Sequence, residues 1–310
     1  MRLIKPSFEI KEQETGLNGV YKQIEWAGRH CYKSLDKITE DSAKKFADML
    51  ANNKHGAMLE HGTVYLKVLL NNELVLEDAY GENNSASAYI RYMNNKYSKV
   101  NCRDGLENVF ITDTVEPGYA YITTNFRVLV ENGWLEDLQY LCEPTEHHAK
   151  RITVKFTTDQ GVMREFTRHR VFSFACESTR YCNYSKSKFG GDITYIIPNW
   201  CDNITEGAEI YPIMDAISTT DTRTIQEREF LAILQSCETG YLQLLEMGWK
   251  PQQARNVLPL ATKCDLIMTG FVSDWNGFFE LRCSNGAHPQ AKELADTLKS
   301  KFIELGIYEN

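Results

Sequence analysis

No stretch of this 310-residue chain approaches the run of roughly 20 apolar residues that a membrane-spanning helix needs, so no span is expected. The segment Met1 to Lys11 carries Arg2, Lys5, Glu9 and Lys11 and lacks an apolar core of signal-peptide length. A cytoplasmic protein is therefore expected, with no membrane partner. Cysteine occurs nine times, an odd number, and no two stand as C-x-x-C. Neither a disulfide framework nor a zinc knuckle is implied; the thiols read as reduced and mostly buried, and no metal site is expected. Positive charge is in deficit, with a formal net charge of −8. That argues against a nucleic-acid polymer as partner, because phosphate-backbone binding rests on clustered Lys and Arg. A small anionic ligand needs only a local basic cluster. G-x-G-x-x-G and G-x-x-x-x-G-K-[ST] are both missing, which excludes the Rossmann phosphate turn and the P-loop. Internal repeats, low-complexity tracts and linkers are absent too.

What is present is an ordinary globular composition, 43% hydrophobic and 25% charged, in a chain long enough to bury a substantial interior. Val20, Ile24, Ala27 and Cys31 recur at helical spacing, as do Ala43, Phe46, Ala47 and Leu50 behind Thr39 as N-cap. Thr63 to Leu70 alternates as a half-buried strand, with Val64, Leu66, Val68 and Leu70 on one face. Residues 71–120 show no clear period. A helix is predicted over Thr124 to Glu131, stopped by Asn132-Gly133. A strand follows at Arg151 to Phe156, then a short helix from Val162 ending at Arg168-His169-Arg170, with extended chain over Val171 to Ala175. Phe230, Leu234, Cys237 and Tyr241 mark one face of a long helix that stops near Gly248, and Pro251 and Pro259 bracket a short one. Pro289 opens a last helix with Ala291, Leu294, Ala295, Leu298 and Phe302 in register. The fold class read from this is α+β, a mixed sheet with packed helices, as a single domain over 1–310.

The segment Glu165 to Tyr181 carries the chemistry. Arg168, His169, Arg170 and Arg180 are interleaved with Val171, Phe172 and Phe174, which a solvated basic face would not normally hold. Cations at the edge of a core need an anion to offset their desolvation. On local physics alone, an anion site and a structural ion-pair network using Glu165 and Glu177 stand level.

The spacing Arg168-His169-Arg170, Ser173, Ser178, Arg180-Tyr181 resembles R-H-R-x-x-S-x-N-x-x-S-x-R-Y, the signature of the flavin-dependent thymidylate synthases. Glu60-His61-Gly62-Thr63, Thr123 to Arg127, Ala254 to Pro259, Phe278 to Arg282 and the closing helix are similar to further family elements in the family's order. The resemblance leaves out roughly 71–118 and 201–222, which read as family-divergent insertions. It implies that His61, Thr63, Arg168, His169 and Arg170 contact FAD, with Cys176 beside it. It further implies that Ser178, Arg180, Arg255 and Arg282 hold dUMP, with Glu165 as a neighbour, and that Ser178 and Arg282 serve the reaction. The implied activity is methylation of dUMP, with methylenetetrahydrofolate as carbon donor and NADPH as reductant, in a homotetramer with shared active sites.

The chain also departs from that pattern. Ala175 stands where the signature has Asn, Cys176 where many members have a carboxylate, with Glu177 one place later, and Glu165 where Gln is common. Asn-containing flavin contacts are replaced by Phe271-Val272-Ser273 and Gly277. Three alternatives stay open beside the methylase. One is a relative that hydroxymethylates a pyrimidine nucleotide, and one is a non-catalytic flavin- or nucleotide-binding protein. The third is a cysteine-dependent synthase using a thiolate at Cys176 or Cys182, although the Pro-Cys pair of that chemistry is missing. Each residue also has an ordinary reading: His61 as a turn histidine, Ser178 as a hydroxyl satisfying backbone, Arg255 paired with acidic residues on a neighbouring helix, Arg282 snorkelling from an apolar stripe.

Overall fold

The computed structural model describes residues 1–70, 84–103, 118–186, 191–207 and 221–308. Of the two expected insertions, 71–83, 104–117 and 208–220 lie outside the described residues. Short strands β1 (Arg2–Ile4) and β2 (Ser7–Lys11) precede α1 (Gly16–Cys31), which buries Val20, Ile24, Ala27 and Cys31 as their spacing requires. α2 (Ser42–Asn52) buries Ala43, Phe46, Ala47 and Leu50, but Asp41 rather than Thr39 is its N-cap. The Ser42 hydroxyl sits between Glu25 and the Thr39 carbonyl, with Thr39 two residues too early to cap. α3 (Gly56–Leu59) leads into β3 (Thr63–Leu70).

After α4 (Asn84–Met93) and β4 (Lys99–Arg103) comes β5 (Gly118–Asn125), then α5 (Phe126–Asn132). The helix predicted from Thr124 begins later. Thr124 and Asn125 complete β5, paired with Val64 and Thr63, and the Asn125 side chain accepts the Val128 N–H at 3.2 Å as N-cap. Gly133 ends α5 at φ +71, a left-handed position that favours glycine.

The second half runs β6 (Arg151–Asp159), α6 (Gln160–Phe166), β7 (Ser173–Cys176), β8 (Thr194–Ile196), α7 (Ile225–Glu246), α8 (Pro251–Ala254), β9 (Lys263–Phe271), α9 (Val272–Arg282) and α10 (Pro289–Glu304). The buried stripe of α7 is Leu231, Leu234, Glu238 and Tyr241, rotated from the expected Phe230 and Cys237. Glu238 is drawn inward by the Ile193 N–H at 2.7 Å and the Met1 ammonium at 2.9 Å.

Among the described residues three sheets result: a four-stranded antiparallel sheet in the order β2-β6-β9-β7, a three-stranded antiparallel sheet β3-β5-β4, and the parallel pair β1-β8. The α+β class holds, with antiparallel and parallel pairing divided between sheets. One face of the central sheet packs Val154, Phe156, Leu266 and Met268 against Trp275, Phe278 and Phe279 of α9 and Leu294, Leu298 and Phe302 of α10. On the other, Ala175 and Ile267 meet Ala27 and Cys31 of α1. β9 is covered on both faces, so its residues show no alternation and the strand is invisible to a period-2 search. Gly270 of β9 admits the Phe172 ring: a Cβ there would lie 2.5 Å from it. This contact seats the turn between α6 and β7, which carries Arg168 to Arg170. No helix among the described residues is long and apolar enough to cross a membrane.

Candidate functional site

Two polar clusters lie at opposite ends of β7. At its start, the turn after α6 is fixed by the His169 N–H donating to the Phe166 carbonyl and the Phe172 N–H donating to His169. Arg282, at the end of α9, reaches this turn. Its Nε donates to His169 Nε2 at 2.9 Å, its Nη1 to Glu165 Oε2 at 2.8 Å, and its Nη2 to the Glu165 carbonyl. A guanidinium can only donate, so Nε2 of His169 is the acceptor and the ring proton resides on Nδ1. Burial, with Arg282 and Arg168 adding positive charge nearby, pushes the His169 pKa down to about 4. The imidazole is neutral near pH 7. Glu165 is held below the ordinary carboxylate range, mainly by its hydrogen bond from Arg282. Arg282 therefore does not merely snorkel beside the buried Phe278; all three of its nitrogens are engaged.

The other two cations of the triplet face solvent. Arg168 is 73% exposed, with Glu165 at 3.4 Å, and Arg170 is exposed with no ion pair among the described residues. The expectation that all four cations sit at the edge of a core is corrected: only His169 is substantially desolvated, and Val171 is itself 65% exposed. The question of anion site or ion-pair network divides by residue. Glu165 does pair with arginines, whereas buried Glu177 is clamped by Lys33 at 2.9 Å and Lys263 at 2.8 Å, with the Tyr184 hydroxyl donating at 2.7 Å. Glu177 is committed to the interior.

At the far end of β7, the Ser178 N–H donates to the Cys31 carbonyl at 3.0 Å, tying the Ser178 to Tyr181 turn to the end of α1. Arg255, just past α8, donates to the Thr179 hydroxyl at 3.1 Å. The alternative in which it pairs with acids on a neighbouring helix does not hold. Arg180 donates to the Tyr181 hydroxyl at 2.8 Å. Arg180 and Arg255 are exposed and lack a carboxylate partner among the described residues, an open cationic surface beside a serine. At roughly 3.3 Å per strand residue, the four residues of β7 separate the two clusters by about 13 Å.

Cys176 at the end of β7 is no activated thiol. Burial pushes its pKa up to about 11, the reverse of what a nucleophilic thiolate needs, and Cys182 is fully buried. The cysteine-dependent alternative is set aside on that ground.

His61 and Thr63 lie deeper than the exposed arginines. His61 is wholly buried; its Nδ1 is 2.8 Å from the Thr269 hydroxyl, which contacts the Thr153 hydroxyl at 2.8 Å, and its Nε2 has no hydrogen-bond partner. Burial, reinforced by Arg151, pushes its pKa down to about 3. The Thr63 backbone exchanges two 2.8 Å bonds with Gln13, and its hydroxyl accepts from Arg151 at 3.3 Å. Arg151, which the sequence reading passed over as the first residue of a strand, thus joins Thr63 to Ser173, whose hydroxyl it reaches at 3.4 Å.

A flavin dinucleotide needs unpaired donors for its pyrophosphate and uncharged hydrogen-bonding groups near its ring. Arg170 and neutral His169 fit that demand, as does exposed Arg168 once it releases its 3.4 Å contact with Glu165, whereas His61 is sealed in the interior. Among the described residues, no cluster of His, Cys, Asp or Glu is placed to hold a metal ion.

A family model described as thymidylate synthase complementing protein, Thy1, matches residues 141–305. It takes in both clusters and begins downstream of His61 and Thr63. The chain is 28% identical over 153 residues to a probable flavin-dependent thymidylate synthase of Paramecium bursaria Chlorella virus 1, covering 49% of this chain and 66% of that protein. It is 27% identical over 161 residues to a flavin-dependent thymidylate synthase of Halobacterium salinarum, covering 50% of this chain and 63% of the relative. The chain thus spans just under two thirds of the length of these relatives. A crystal structure of a UMP/dUMP methylase, PolB from Streptomyces cacaoi, bound with 5-Br dUMP, aligns over 98% of this chain and 93% of its own at 14% identity, with a TM-score of 0.41. With more than half its residues matched by the family model, the chain belongs to the thymidylate synthase complementing protein family, that of the flavin-dependent thymidylate synthases.

Proposed function

We propose that the protein is a cytoplasmic, homotetrameric, FAD-dependent enzyme that methylates dUMP to dTMP, taking carbon from methylenetetrahydrofolate and electrons from NADPH. The observation that carries this reading is the disposition of one signature at the two ends of β7: a neutral His169 held by Arg282 beside exposed Arg168 and Arg170, and Ser178 beside exposed Arg180 and Arg255. The flavin supplies the hydride chemistry that side chains cannot.

The chain's own residues divide the remaining work. Arg168 and Arg170 bind the anionic part of the cofactor, and His169 offers an Nδ1–H without competing for protons near neutral pH. Arg180 and Arg255 take the nucleotide phosphate. Ser178 orients the nucleotide, since no histidine stands by to activate its hydroxyl. Arg282 stabilises negative charge on a uracil ring that has lost its N3 proton; it cannot act as the base, because it stays protonated at any working pH. Glu165 occupies the Arg282 fork and must yield part of it to the base. His61 and Thr63 support the flavin side from behind the sheet. Both clusters are open on their solvent side, which supports a shared site completed by a second subunit.

The test is spectroscopic. The purified protein should carry a yellow flavin that bleaches with NADPH and recovers on addition of dUMP and methylenetetrahydrofolate, with dTMP as product. A hydroxymethylated product would select the hydroxymethylating relative, and flavin binding without turnover would select the non-catalytic one.

A further inference from the structure

A cavity of about 400 Å3 lies beside the start of β6, enclosed by the end of β2, the first turn of α1, the start of β3 and the segment before β6. Its walls are apolar at Ile10, Val20, Leu141 and Ile307. Arg151 gives it its chemistry. Nη1 donates to the Glu60 carbonyl at 3.1 Å and to the Thr63 hydroxyl, and Nη2 to the Ser173 hydroxyl, so every acceptor is neutral. The nearby carboxylates are occupied elsewhere: Glu60 pairs with Arg127, and Asp274 accepts the Phe271 N–H at 2.8 Å. Of the acids on the rim, Glu14 holds Lys22 at 2.6 Å. Burial, the largest cause, lowers the Arg151 pKa to about 10, and the charges of Glu60 and Asp274 offset only part of that desolvation. Arg151 lines the cavity and forms no ion pair among the described residues. Lys11 and Lys150 also line the cavity, neither with a carboxylate partner among the described residues.

We propose that this cavity binds a small amphipathic carboxylate, its anionic end on Arg151 and its apolar body against Ile10, Val20, Leu141 and Ile307. The guanidinium fork matches a carboxylate, whose single negative charge offsets part of the positive charge of Arg151, Lys11 and Lys150. A phosphate dianion is disfavoured by Glu12 and Glu14 on the rim and by His148, which burial keeps neutral. The volume is at the low end of the roughly 300–1,000 Å3 of small-molecule sites, which suits one ring or a short acyl chain. The inference stands apart from the proposed reaction. Because Thr63 belongs both to the cavity wall and to the proposed flavin contacts, the two are tested together.

The probe is 3-phenylpropionate, titrated calorimetrically into the FAD-loaded protein, with 3-phenylpropionamide and phenyl phosphate as controls. Saturable binding at one site per chain is expected, weaker by about tenfold or more for the amide and for Arg151→Met. Phenyl phosphate should bind less tightly than the carboxylate. Ile307→Trp, which fills the apolar end and leaves Arg151 in place, should abolish binding while the melting temperature stays within a few degrees, and it keeps the test decisive if Arg151→Met does not fold. Absence of saturable binding, equal binding of the amide, preference for the phosphate, or unchanged binding in Ile307→Trp overturns the proposal. Binding to flavin-free but not to FAD-loaded protein also overturns it, by giving the cavity to the flavin. If the protein takes up no flavin, the same titration on the purified chain still reads the cavity, so the two readings fail separately.

Discussion

Replacing Arg282 by alanine removes at once the donor to His169 Nε2, the ion pair to the Glu165 carboxylate and the contact to the Glu165 carbonyl. Two consequences follow, one chemical and one electrostatic. If Arg282 stabilises charge on the uracil ring, losing a preorganised, partly buried donor costs about 3 kcal/mol, or roughly a hundredfold in turnover. Independently of any substrate, the His169 pKa should rise from about 4, because the removed guanidinium is one of the charges holding it down. The rise should stop short of the ordinary value near 6.5, since burial is the larger cause and persists. Arg282→Lys keeps the charge and loses the planar fork, so turnover should recover only in part while His169 stays nearer its wild-type titration. Steady-state turnover at saturating substrates gives the first quantity, and an NMR titration of the histidine ring signals gives the second. A folded, FAD-loaded Arg282→Ala protein with wild-type turnover would refute the catalytic role; one in which His169 still titrates near 4 would refute the electrostatic coupling.

Arg168→Ala should leave the melting temperature unchanged, because the side chain is 73% exposed, while flavin occupancy falls at low FAD; full occupancy would make the triplet structural. Ser178→Ala should weaken turnover without abolishing it, and a dead but folded, dUMP-binding variant would point to covalent catalysis. Glu177→Ala strands Lys33 and leaves Lys263 with Asp265 alone, and should cost about 3 kcal/mol in chemical denaturation, with a loss below 1 kcal/mol contradicting the buried clamp. His61 and His169 refuse protons down to about pH 3 and 4 that the unfolded chain accepts near 6.5. Stability should therefore be full above about pH 6.5 and fall on acidification, by up to about 1.4 kcal/mol per pH unit for each histidine. His61→Gln should flatten that slope, and an unchanged slope would show that the histidine is not sealed.

Local pattern carried much of this protein. The stripes of α1, α2 and α10, the alternation of β3 and the stop at Gly133 were legible because each depends on neighbours a few residues apart. The signature from Arg168 to Tyr181 was legible for a different reason: identity and spacing survive in a linear string whatever the fold does with them. What the string does not hold is which side chains are desolvated. Arg168 and Arg170 are exposed, while the adjacent His169 is neutral, first because packing half-buries it and then because a helix more than a hundred residues downstream brings Arg282 to its Nε2. The same limit explains β9, whose two covered faces erase the alternation, and Thr124 and Asn125, taken from a helix by pairing with β3. It also explains the inward turn of Glu238 on α7, set by the chain's own amino terminus and the Ile193 N–H. Arg151 shows the division most clearly. In sequence it is only the first residue of a strand, yet tertiary packing gives it three neutral acceptors, no ion pair among the described residues and a cavity, because burial and charge balance are settled by segments far apart in the chain.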